Sequence, residues 1–124
     1  MIAQRETSAV VRSYPDPGHT GFEQRNAALL MIALMAGVTV AFSYDGKDRQ
    51  AEVHAVGTSN KDGSLVCRAY QIGGEASRPL PQWTLFTISK MNHLTLVAAD
   101  SQAPREGYAM ADKQMSRIIA ELAL

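Results

Sequence analysis

Two extended runs divided by prolines constrain this chain more than any other feature: LVCRAYQ, from Leu65 to Gln71, and WTLFTISKM, from Trp83 to Met91. Side chains alternate along a strand. Val66, Arg68 and Tyr70 therefore share one face of the first run, and Cys67, Ala69 and Gln71 share the other. In the second run Trp83, Leu85, Thr87 and Ser89 oppose Thr84, Phe86, Ile88 and Lys90. The connector from Gly73 to Gln82 holds Pro79 and Pro81, which cannot donate to a ladder, so it is expected to be a surface loop.

Residues 1–19 have no clear period and end in the turn cluster Pro15-Asp16-Pro17-Gly18, so they are expected to form an arm, and residues 20–124 a single domain. Val10 and Val11 are candidates for an added edge strand, against the alternative of a loose terminus. Thr20 and Glu23 have the spacing of a capping box, and from Phe22 to Ala36 the pattern is helical, closed by Gly37. Val38 to Tyr44 and Arg49 to Val56 alternate and are joined through Asp45-Gly46, which predicts an antiparallel hairpin. Asn60-Lys61-Asp62-Gly63 turns the chain into the Leu65 strand. Leu94 to Ala98, after a turn at Asn92-His93, reads as a fifth strand. From Asp112 to Leu124, Met115, Ile118, Ile119 and Leu122 recur at helical spacing, which predicts a second amphipathic helix. The expected fold is thus mainly β with flanking helices: five antiparallel strands in a small barrel between an N-terminal and a C-terminal helix.

Charge and cysteine content limit the function. Twelve basic and twelve acidic residues cancel, so no global field draws in a polyanion, and nucleic-acid binding requires a local patch. The one cysteine, Cys67, rules out an internal disulfide and fits a reducing compartment as a small buried hydrophobe. With no long apolar stretch at the N-terminus and no segment near the ~20 residues needed to span a bilayer, a cytoplasmic protein without membrane association is expected.

No catalytic constellation emerges. His19, His54 and His93 lack metal-site spacing, no serine sits in a G-x-S-x-G elbow, and Gly73-Gly74 opens no helix. No catalytic residue, metal or cofactor is expected. What remains is a binding surface: Arg68 and Tyr70 share a strand face, and Arg49, His54, Lys90 and Arg105 lie in elements that a barrel could bring near it. Guanidinium groups hold phosphates and a tyrosine ring stacks on a base, so the cluster suits a nucleotide or short nucleic acid. The alternative is structural. Arg68 would then pair with Glu52 on a neighbouring strand, and Tyr70 would be core.

The run RAYQIGG, a proline-bearing gap, WTLF and then ISKM together resemble the WYL domain family, in its short stand-alone form. Upstream, VTVAFSYDGKDRQAEVHAVG is similar to that family's opening strand pair. Downstream, APREGYAMADKQMSRIIAEL resembles its tail. The resemblance covers roughly Phe22 to Leu122 and rests on the order and spacing of weak motifs. It implies a barrel of the Sm or SH3-like type and a ligand-sensing role in bacteria or their phages, commonly beside a DNA-binding helix-turn-helix, with nucleotides or nucleic acids as ligands. The W-Y-L tripeptide itself has no counterpart here. Where relatives carry F-R-x-x-R, this chain has Phe86-Thr87-Ile88-Ser89-Lys90, which implies a weakened anion site. About twenty residues precede the first helix, too few for a winged helix-turn-helix in that position.

The function expected from the sequence is a non-enzymatic, WYL-like regulatory module that binds a nucleotide or nucleic-acid ligand. The alternative is an assembly module that oligomerises through the apolar helix 22–36. That helix carries no charge from Asn26 to Gly37, so a homo-oligomer is expected in either case.

Overall fold

The helix begins where its capping box places it. In the computed structural model, which describes residues 8–124, α1 spans Gly21–Ala36. The Thr20 hydroxyl accepts the Glu23 N–H, and the Glu23 carboxylate accepts the Thr20 N–H, both at 3.2 Å. These bonds satisfy donors that no helical carbonyl can reach. Gly37 ends the helix in the left-handed conformation and donates its N–H to Ala33 O. Ala27, Leu30, Met31, Ala33 and Leu34 of α1 are buried in the main core.

The strands are β1 (Ala9–Val11), β2 (Val38–Tyr44), β3 (Lys47–Ser59), β4 (Leu65–Gly74), β5 (Gln82–Thr87), β6 (Asn92–Asp100) and β7 (Met115–Leu122). All pairings are antiparallel. Asp45 and Gly46, both at positive φ, make the tight β2–β3 turn. β3 is the spine. One edge of it pairs with β4; the other pairs with β2 through its first half and with β7 through its second. β6 lies outside β2, β5 outside β4, and β1 outside β7.

The expected five-stranded barrel with two helices is therefore corrected. The chain forms one open sheet of seven antiparallel strands, and α1 is the single α-helix among the described residues. Two differences account for this. Ala9–Val11, expected in an arm, pairs with β7; residues 1–7 of that arm lie outside the described residues. The segment expected as a C-terminal helix is β7. Its register against β3 slips twice, leaving Ile119 and Ser116 as extra residues between paired positions. Each β-bulge lengthens the spacing between inward side chains by one. Met115 and Ile118 pack into one apolar cluster and Ile119 and Leu122 into the main core, so apolar residues of both faces of an extended chain take on a helix-like spacing. Gly57 accommodates this crowding, because a Cβ there would meet Arg117 O and Met115 Sδ.

The second extended run also divides. β5 stops at Thr87, and Ile88–Lys90 form a single 3-10 turn. Buried Asn26 on α1 holds that turn by donating to Met91 O at 2.8 Å. Phe86 and Ile88 enter the core with Phe42, Val40 and Val53.

Candidate functional site

The opposite face of the sheet is covered by an irregular segment, Ser101–Gln114. Glu52 pairs with Tyr70, so alternation puts Glu52, His54, Arg68 and Tyr70 on this face. Val53 pairs with Ala69 and Ala55 with Arg68, which leaves His54 as an extra, bulged residue. Contacts from Gln102, Arg105 and Asp112 bring the segment over these side chains. Trp83, across the ladder from Tyr70, is the centre of the group. Its ring lies 4.5 Å from His54, 5.1 Å from Tyr70 and 6.4 Å from Tyr108, the last nearly parallel.

The two carboxylates Glu52 and Asp112 and the two arginines Arg105 and Arg68 on this face are paired. The Glu52 carboxylate, 1% exposed, accepts from Arg105 Nε at 2.6 Å, Arg105 Nη2 at 3.2 Å and Gln102 N–H at 2.6 Å. A buried carboxylate is tolerated when donors replace its water. The hydrogen bond that Arg105 donates to Glu52 in turn raises the Arg105 pKa, and the Arg105 guanidinium lies 5.3 Å over the Tyr70 ring. His54 is fully buried; its Nδ1 meets Glu52 O and its Nε2 meets the Arg105 N–H, each at 3.0 Å. Accepting that N–H requires the neutral imidazole with its proton on Nδ1.

Arg68 pairs with Asp112 rather than with Glu52. Its Nε donates to Asp112 Oδ2 at 2.7 Å and its Nη2 to Oδ1 at 3.3 Å, with a further bond to Gln114 Oε1. Burial alone would raise the Asp112 carboxyl, but hydrogen bonds from Arg68 and from the Gln114 N–H outweigh it and hold the pKa below its ordinary value. The segment is also fixed by Tyr108, which donates to Leu122 O at 2.8 Å, and by the Ala111 N–H, which donates to Glu121 at 2.8 Å. Burial raises the Tyr108 hydroxyl pKa.

Between the segment and the sheet lies a hollow of about 350 Å³, lined by Arg68, Trp83, Tyr108, Asp112, Lys113 and Gln114 among others. Four of the six residues expected to bind ligand, Arg68, Tyr70, His54 and Arg105, belong to this neighbourhood. Arg49 and Lys90 do not. Arg49 is buried among Tyr44, Phe86 and Gln71, donating to Gln71 Oε1 at 3.2 Å and Tyr44 O at 3.3 Å. Lys90 sits 6.0 Å from the Tyr44 ring centroid. Neither forms an ion pair with a carboxylate among the described residues.

Sequence reasoning missed Trp83, Tyr108, Asp112 and Lys113 as site residues. Trp83 had a usable signal: it is the only tryptophan, and it stands directly across from Tyr70. The other three lie in irregular chain, where no periodicity reveals a facing surface. Cys67 is buried and its thiol is pushed up to about 12 by desolvation, which suits a core residue and not a nucleophile. Among the described residues no group of three His, Cys, Asp or Glu side chains is placed to hold a metal, and no helix is long and apolar enough to cross a membrane. Comparison with family models, curated proteins and solved structures found no match.

Proposed function

We propose that this chain is a non-enzymatic, WYL-like ligand-binding and regulatory module, and that its ligand is a nucleotide or short nucleic acid taken beside Trp83. The observation that carries this reading is the convergence of Trp83 and Tyr108 on one hollow with Arg68 and Asp112 in its wall. Aromatic faces hold any base by stacking, at a typical ~1–3 kcal/mol per base. Polar groups fixed in advance orient the ligand without conformational cost. The resemblance of Arg68–Gly74 and Trp83–Met91 to WYL domains supports the same class of ligand. A non-enzymatic role is supported by the hydrogen-bonded state of His54, whose ring nitrogens are both engaged, and by the pairing of Arg68 and Arg105.

Trp83 reports on its own site. Mononucleotides and short oligonucleotides titrated at low salt are expected to give a saturable change in tryptophan emission. No change with any of them overturns the reading.

A second reading is favoured by the outer side of α1. Ile32 and Met35 are 48% and 53% exposed, beside Tyr14 at 72%, and they line an apolar groove with Ala28 and Pro15. An uncharged helix face of this kind fits a second copy of the chain, with the sheet as scaffold. Sedimentation tests it: a homodimer at tens of micromolar corresponds to an interface worth about 7 kcal/mol, and Ile32→Glu should disperse it. A monomer at that concentration removes this reading and leaves the first intact.

A further inference from the structure

Among the described residues, Lys113 is the one charge in the wall of the hollow that enters no ion pair. Three of the lining residues are charged: Arg68, Asp112 and Lys113. Arg68 and Asp112 neutralise each other through two hydrogen bonds. Lys113 enters none of the ion pairs among the described residues. Its backbone is held nonetheless, because Asn60 Nδ2 donates to Lys113 O at 2.8 Å. The chain thus holds the backbone of an exposed lysine in the wall of the hollow. The lining carries a net single positive charge, a few residues in sequence from the Tyr108 ring.

From this arrangement we infer that Lys113, and not Arg68, is the phosphate contact of the site, and that the ligand is an aromatic base bearing a phosphate monoester. This rests on the reading of the Trp83 hollow given above. Engaging Arg68 would require a phosphate to displace a partly buried carboxylate held by two bonds, which leaves that carboxylate without its partner. Engaging Lys113 displaces only water. An ammonium on a flexible stem meets a phosphate as a point charge, so the contact contributes affinity while the aromatic rings orient the base.

The test compares each common ribonucleoside with its 5′-monophosphate, titrated into the full chain at low salt while Trp83 emission is read. For the parent protein the monophosphate should bind about tenfold more tightly than the nucleoside, the scale of one charge-assisted hydrogen bond. In Lys113→Gln that preference should vanish while nucleoside affinity and melting temperature stay unchanged, since only the Lys113 carbonyl takes part in the fold. Raised salt should erase the preference in the parent as well. A short single-stranded oligonucleotide separates the two sources of this chemistry: binding as tight as the monophosphate's, with the same loss in Lys113→Gln, assigns a strand, and weaker binding assigns a free nucleotide. If Lys113→Gln keeps the tenfold preference, or if the parent binds both compounds alike, the inference is overturned while base stacking at Trp83 stands. If no compound alters the emission, both are overturned.

Discussion

The neighbourhood of Trp83 and that of Tyr44 each hold two of the basic residues expected to bind ligand, yet they settle those charges by opposite means. Around Trp83, Arg68 and Arg105 meet Asp112 and Glu52, carboxylates 44 and 53 residues away in sequence. Around Tyr44, Arg49 and Lys90 meet rings and neutral acceptors, and buried Arg49 Nε has no hydrogen-bond partner. Each charge has its own task. Ion pairs with distant carboxylates fasten the Ser101–Gln114 segment across the sheet. The Arg49 guanidinium, stacked over Tyr44 and Phe86, serves as a flat filler at the end of the hydrophobic core, where its stem and π face count for more than its charge.

The contrast is easiest to break at Glu52. Replacing it with alanine strands the Arg105 guanidinium and the Gln102 N–H, and a loss of about 3–5 kcal/mol is expected, measured by urea denaturation. Arg68→Ala should cost less, about 1–3 kcal/mol, since the carboxylate it leaves behind, Asp112, is less deeply buried than Glu52 and keeps the Gln114 N–H. Arg49→Met should change stability by about 1 kcal/mol or less, because an apolar chain of similar length restores packing and removes an unpaired donor. An Arg49→Met loss as large as that of Glu52→Ala would show that the two regions do not differ as described.

A finer separation comes from acid. The folded pKa of Asp112 lies below its ordinary value of 3.8, so its pairing stabilises the fold above that value, and the contribution is lost as pH falls through the depressed one. Melting temperature should therefore decline more steeply below about pH 4 in the parent than in Arg68→Ala. Equal slopes would remove Arg68 from the account. Lys90→Ala, which touches no carboxylate among the described residues, should leave the acid profile unchanged.

Much of the fold was legible because local chemistry and final structure agree. Thr20, Glu23 and Gly37 mark the ends of α1, and Asp45-Gly46 marks the β2–β3 turn. Legibility failed where pairing partners alter the period. Ser116 and Ile119 are bulged by β3, so β7 reads as a helix, and the Ser101–Gln114 segment, which has no period of its own, covers the polar face that Glu52 and His54 share. The site was half legible. The structure brings Arg68, Tyr70, His54 and Arg105 together, whereas Arg49 and Lys90 lie by Tyr44, away from them, having been placed near them on the expectation of barrel closure. Asp112 was invisible because nothing in Ala111-Asp112-Lys113 signals which strand it will cross.

The forked spine also bears on the order in which the molecule can be built. β2, β3 and β4 are contiguous, and their ladders close through short turns, but the second half of β3 finds its other partner only about sixty residues further along, in β7. During vectorial synthesis a nascent hairpin would present Ala55–Ser59 with one bare edge until that partner emerges. β1, the first strand among the described residues, must wait as well, since among them β7 is the strand it pairs with. Loop closure over such distances is slow compared with hairpin formation. The interval leaves an adhesive strand open to another chain, so the rate at which β7 docks sets how long each newly made copy is vulnerable to aggregation.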